Sequence, residues 1–125
     1  ISDRDWSSDV CSSDLNFVEA GDETPFFQIG ETKYGKPIIV RAFDPKMSVE
    51  DAMRLLFVSF DSTLKANLSV GMPLDVHVYE KDSLREGAIF RIEEDDAAFT
   101  EISSGWGDAL KSALDSLPKY RVPSF

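Results

Sequence analysis

The chain has 125 residues, with 23 acidic and 13 basic side chains and a net charge of −10 at pH 7. That balance excludes broad binding to a phosphate backbone, which needs clustered Lys and Arg to release counterions. No apolar run reaches the ~18 residues of a membrane helix and no signal-peptide pattern occurs. The single cysteine, Cys11, excludes a disulfide framework.

The first segment reads unlike the rest. Asp5 to Leu15, DWSSDVCSSDL, resembles the conceptual translation of a common sequencing adapter, and Ile1 to Arg4 are read as the same read-through. Residues 1–15 are therefore expected to be a non-native, disordered leader, and they are set aside as a tag or fusion scar would be. A native Ser/Asp-rich leader is the alternative, although Cys and Trp are atypical of such tracts. Without the leader the acidic count is 19, the basic count 12 and the net charge −7, which suits a cytoplasmic protein.

From Asn16 the elements follow without repeats or an internal linker. Phe26, Phe27 and Ile29 mark a short strand that enters the polar, glycine-bounded run Gly30 to Gly35. After Ile38 to Phe43 the chain is broken by Asp44 and Pro45. Ser48, with Asp51 three residues on, reads as a capping box and opens a helix to about Ala66. Its apolar positions Val49, Met53, Leu56, Phe57, Phe60 and Leu64 recur at helical spacing, so this stripe is expected to be core.

Met72, Leu74, Val76 and Val78 then alternate with Pro73, Asp75, His77 and Tyr79, as a half-buried strand does. Asp82 to Gly87 reads as a polar turn and Ile89 to Ile92 as the returning strand of a hairpin. Asp95 or Asp96 caps a final helix with Phe99, Ile102, Trp106, Leu110, Leu114 and Leu117 on one face, ending near Pro118. Gly105 and Gly107 weaken that helix by roughly 1 kcal/mol each, which points to close approach of a neighbouring element or to a kink. Strand, turn, helix, hairpin and helix make an α+β arrangement.

Two stretches carry more. PFFQIGETKYGKPII (Pro25 to Ile39) and NLSVGMPLDVHVYE (Asn67 to Glu80) together resemble the C-terminal half of a bacterial proteasome-type protease of the Anbu kind, the ancestral beta subunit family. The resemblance covers Asn16 to Leu117, with residues 118–125 as a tail. It implies part of an N-terminal nucleophile hydrolase fold, an αββα sandwich of two sheets covered by helices. It further implies a threonine-type peptidase within a homo-oligomer of identical subunits, acting on peptide or unfolded protein. In such enzymes the first residue's hydroxyl attacks a carbonyl and its own amine is the base. The nucleophile and its lysine lie in the half this chain does not contain, so the chain alone is expected to be inactive.

What this half supplies in that reading is support around the terminal amine. Ser69 matches a turn serine after the long helix, Thr32 in GETKYG matches an earlier hydroxyl, and Asn67 stands near the slot where relatives carry an acid. From spacing alone, Asn67 and Ser69 are equally read as residues that end a helix and satisfy a turn. His77, the only histidine, has no Cys or second His to complete a metal set and is read as a solvent-facing or hydrogen-bonded strand residue. Lys33 is read as a surface charge. The acidic run Glu93 to Asp96 is explained by its place at a helix N-terminus and lacks the spacing of a calcium loop. No cofactor is expected. A non-catalytic oligomerisation or interaction module is the alternative function.

Overall fold

The computed structural model describes residues 9–11, 17–30 and 32–123. Two short strands come first, β1 (Asp9–Cys11) and β2 (Phe17–Glu19), paired antiparallel with Val10 opposite Val18. Three helices and a hairpin follow: α1 (Lys36–Ala42), α2 (Val49–Ala66), β3 (Leu74–Val78), β4 (Ala88–Ile92) and α3 (Ala97–Ser116). The chain divides after Gly71 into two compact units.

In the first unit the expected strand at Phe26 to Ile29 does not form; these residues run as irregular chain. Phe26 is buried and meets Phe43 edge-on, with ring centroids 5.9 Å apart and planes at 86°, a geometry aromatic quadrupoles favour. The segment after Gly35 is a helix that the sequence pattern did not reveal. Pro37 sets the φ of its first turn, and Ile39 is its buried residue. A short apolar run bounded by glycine and proline is compatible with strand or helix, and here the proline decides.

Helix α2 has the bounds that its capping signal implies. The Ser48 side chain accepts a hydrogen bond from the Asp51 amide at 3.1 Å, and Asn67 is the C-cap. The Asp51 carboxylate is drawn to Arg54 at 2.8 Å, so the reciprocal half of the box is replaced by a helix-surface ion pair.

The buried face of α2 is rotated from the expected one. Leu55, Phe57, Val58, Ser59, Asp61 and Thr63 are buried, whereas Val49 and Phe60 are exposed and Met53, Leu56 and Leu64 half-buried. The cause is the approach of Gly35, whose position leaves no room for a β-carbon against Ser59 and Thr63. Small residues let the start of α1 come close to α2, and that packing takes the place of the apolar stripe. Thr63 Oγ1 donates to the Ser59 carbonyl at 3.0 Å, so a hydroxyl is buried without losing its partner.

In the second unit the hairpin forms as the alternation requires, with Leu74 opposite Ile92, Val76 opposite Phe90 and Val78 opposite Ala88. Gly87 has φ +79°, and a β-carbon there would strike the Val78 carbonyl. Only glycine meets both demands. Asp75 and Arg91, directly opposed, form a two-bond ion pair at 2.7 and 3.1 Å. Asp96 caps α3 by accepting from the Phe99 amide at 2.8 Å. Phe99 is buried and Ile102 and Trp106 are half-buried, but Leu110, Leu114 and Leu117 are exposed. Gly105 and Gly107 face open space within this chain, so neither accommodates a close neighbour here.

Candidate functional site

The end of α2 positions two of the three expected hydroxyl and amide residues. Asn67 leaves the helix with extended backbone, and its side-chain oxygen accepts from the Ser69 amide at 2.9 Å and the Ser69 hydroxyl at 2.7 Å. The Val70 amide closes the turn on the Asn67 carbonyl at 3.2 Å. This is the Asx-type turn that an Asn two residues before a Ser favours. Thr32 stands at the start of the turn leading into α1 and is half-buried, whereas Ser69 is exposed. The Ser69 hydroxyl thus donates to an amide oxygen, and the pair orients the turn.

Other hydroxyls whose partners are seen behave alike. Ser62 donates to the Val58 carbonyl, Thr100 to Asp96 and Ser116 to Ala113. His77 lies exposed on β3 and its ring nitrogen bonds to the Glu86 carbonyl across the hairpin. That is a strand histidine holding a turn. No three side chains of His, Cys, Asp or Glu gather as a metal set among the described residues. The acidic run before α3 serves the cap: the Asp96 amide bonds to the Glu93 carbonyl and the Asp96 carboxylate to the helix start.

The first unit also holds a feature that residue spacing did not reveal. An open cavity of about 310 Å³ is lined by Phe27, Ile29, Ile39, Leu56, Phe60 and Val70, with Ser59 and Thr63 beside them. The signal that could have found it is the excess of apolar positions on α2, more than one neighbour can cover.

No family model matches the sequence. No curated protein matches it either. Solved structures do. An Anbu mutant from Hyphomicrobium sp. strain MC1 superposes with a TM-score of 0.82 at 48% identity over 87% of this chain. The chain is a structural homologue of the Anbu proteins. Anbu (ancestral beta-subunit) from Yersinia bercovieri matches at 48% identity over 86% of this chain, TM-score 0.77. Anbu from Pseudomonas aeruginosa, solved as a helical assembly, matches at 45% over 91%, TM-score 0.82. This chain spans 46%, 46% and 47% of those three chains, about half of each. The α+β elements are therefore part of the αββα sandwich of the N-terminal nucleophile hydrolase fold.

The expected threonine-type peptidase needs correction. The matches fall on Anbu proteins, of which this chain spans about half, and the hydroxyls whose partners are seen donate to carbonyls and to Asn67. The terms protease, peptidase and hydrolase do not carry over to this chain, whereas the fold relationship and the partial length do. No helix among the described residues is long and apolar enough to cross a membrane.

Proposed function

We propose that the chain is the C-terminal half of an Anbu subunit and that its part is structural: it contributes helices and a hairpin to a sandwich that assembles with identical subunits. The observation that carries this is the match at 48% identity to about half of an Anbu chain. The helical assembly of the Pseudomonas aeruginosa relative supports the homo-oligomer. Peptide or unfolded protein is the ligand class proposed for the whole assembly, as something held rather than cleaved, in the cytoplasm. Residues 16–117 make up the half-domain, residues 118–125 its tail, and residues 1–15 an adapter-derived leader whose Asp9–Cys11 backbone lies beside Phe17–Glu19. Asn67 and Ser69 shape the turn that follows α2, and Thr32 stands before the turn that leads into α1.

The test is to recover the parent DNA across the codon for Asn16, express the restored reading frame and weigh the product by native mass spectrometry. Multiples of one subunit are expected. A strictly monomeric product, or a start codon adjoining Asn16, would sink the reading.

A further inference from the structure

The loop joining β3 to β4 is tied by bonds within itself. The Ser83 amide donates to the Glu80 carbonyl at 3.1 Å, the Leu84 amide to the Tyr79 hydroxyl at 3.3 Å and the Arg85 amide to the Ser83 hydroxyl at 3.3 Å. At its base the His77 ring bonds to the Glu86 carbonyl. The loop therefore presents its side chains in one arrangement.

Leu84 occupies this loop at two costs. Its φ is 53°, in the left-handed region, where a β-carbon crowds the carbonyl and which glycine, asparagine and aspartate enter more readily. Asp82, two residues earlier, is such a residue at φ 59°. The Leu84 side chain is also 91% exposed, so its apolar surface gains nothing from packing in this chain. An exposed leucine alone is ordinary, but one held in left-handed backbone is not. Glycine or asparagine would serve the loop better, so the leucine serves a contact outside it. Strain of this kind gathers at binding loops and clamps.

The occupant can be argued from charge and geometry. Lys81, Asp82, Arg85 and Glu86 are exposed around Leu84, the anatomy of a small apolar anchor within a charged rim. The chain carries a net charge of −10, so another copy offers an acid-rich surface that Lys81 and Arg85 complement. An anchor on a loop tip that enters a recess elsewhere on the next copy makes a head-to-tail contact. Such contacts build open helices when the rotation does not close, and the Pseudomonas aeruginosa Anbu relative was solved as a helical assembly.

We propose that Leu84 is an anchor that one subunit inserts into an apolar recess of the next, head to tail, with Lys81 and Arg85 pairing with acidic side chains around it. The proposal rests on the homo-oligomer reading above and names a residue that makes the contact. The pre-tied loop lowers the entropy lost when the contact forms.

The experiment uses the restored subunit obtained across the codon for Asn16. Native mass spectrometry over a dilution series reads dissociation, and p-benzoylphenylalanine in place of Leu84 reads the neighbour by photocrosslinking. Leu84→Asn should weaken subunit association by about 10-fold or more, as the loss of a central anchor does, whereas Leu84→Met should retain it. Asparagine accepts the backbone conformation, so the thermal midpoint of the dissociated Leu84→Asn subunit should not fall. Crosslinks should join position 84 to a different segment of a second copy. Association indifferent to Leu84→Asn, crosslinks confined to one chain or joining position 84 to position 84, or a lowered midpoint that assigns the leucine to the fold, would each overturn the anchor and leave the half-subunit reading in place. A parent subunit that is monomeric at every concentration overturns both.

Discussion

Gly35 lies so close to Ser59 that a β-carbon on the glycine would overlap the serine hydroxyl, and Thr63 Oγ1 lies 3.1 Å from the same point. The crossing is set by the size of these three residues. Gly35→Ala should destabilise the first unit by about 1–3 kcal/mol, the usual cost of overpacking. Gly71→Ala should be near neutral, because nothing lies within 4 Å of its β-carbon. Thermal unfolding of the two variants side by side checks this, and equal midpoints would mean that α1 shifts to make room.

The cap at Ser48 is a separate lever on the same helix. Its hydroxyl satisfies the Asp51 amide, so Ser48→Ala should cost about 1 kcal/mol, and Ser48→Asp should retain most of the stability. Denaturant titration followed by helical ellipticity reads both. An alanine variant as stable as the parent would show that solvent replaces the cap fully.

In the second unit Gly87→Ala meets two obstacles, a positive φ and the Val78 carbonyl. The strain alone is of order 1–3 kcal/mol. Faster amide exchange is expected across β3 and β4, with little change in α2. Unaltered hairpin protection would contradict the geometry.

The hairpin should also respond to acid. The hydrogen bond from Arg91 holds the Asp75 carboxyl below the ordinary carboxylate range; partial desolvation opposes it, and the guanidinium charge adds the least, in the lowering direction. The unfolded chain therefore takes up a proton at higher pH than the folded one. The pair's contribution is present above the unfolded value and is lost as pH falls through the lowered folded value. Both groups are open to solvent, so the effect is small and is weakened by salt. Asp75→Asn should flatten this part of the stability profile. Amide exchange of β3 measured across the acidic range at low and high salt provides the check.

The elements that could be read from sequence are those whose signals are local. Ser48 and Asp51 bracket the start of α2, Leu74 to Val78 alternate, and Gly87 punctuates the return strand. The helix at Lys36–Ala42 was not legible, because Ile38, Ile39 and Val40 are β-branched and suit a strand equally well. The buried face of α2 was missed for a different reason. Gly35 comes from elsewhere in the chain, and its approach buries Ser59 and Thr63 in place of Phe60. Tertiary packing overrode hydrophobic periodicity there. At the candidate site, the Asn67 and Ser69 turn was legible as turn chemistry, since both partners lie within three residues. A catalytic role for them was not, because it depended on groups in a half that this chain does not contain.

The passage from α2 to the hairpin has a consequence for length. After the Asn67 turn, Leu68 and Ser69 are exposed, and a β-carbon placed on Gly71 would meet nothing within 4 Å. The boundary between the two units falls directly after Gly71. Extra residues inserted there displace no side chain and open no buried backbone bond, conditions under which insertions are tolerated. Related chains are thus free to differ in residue number at this position while the turn before it and the hairpin after it keep their geometry.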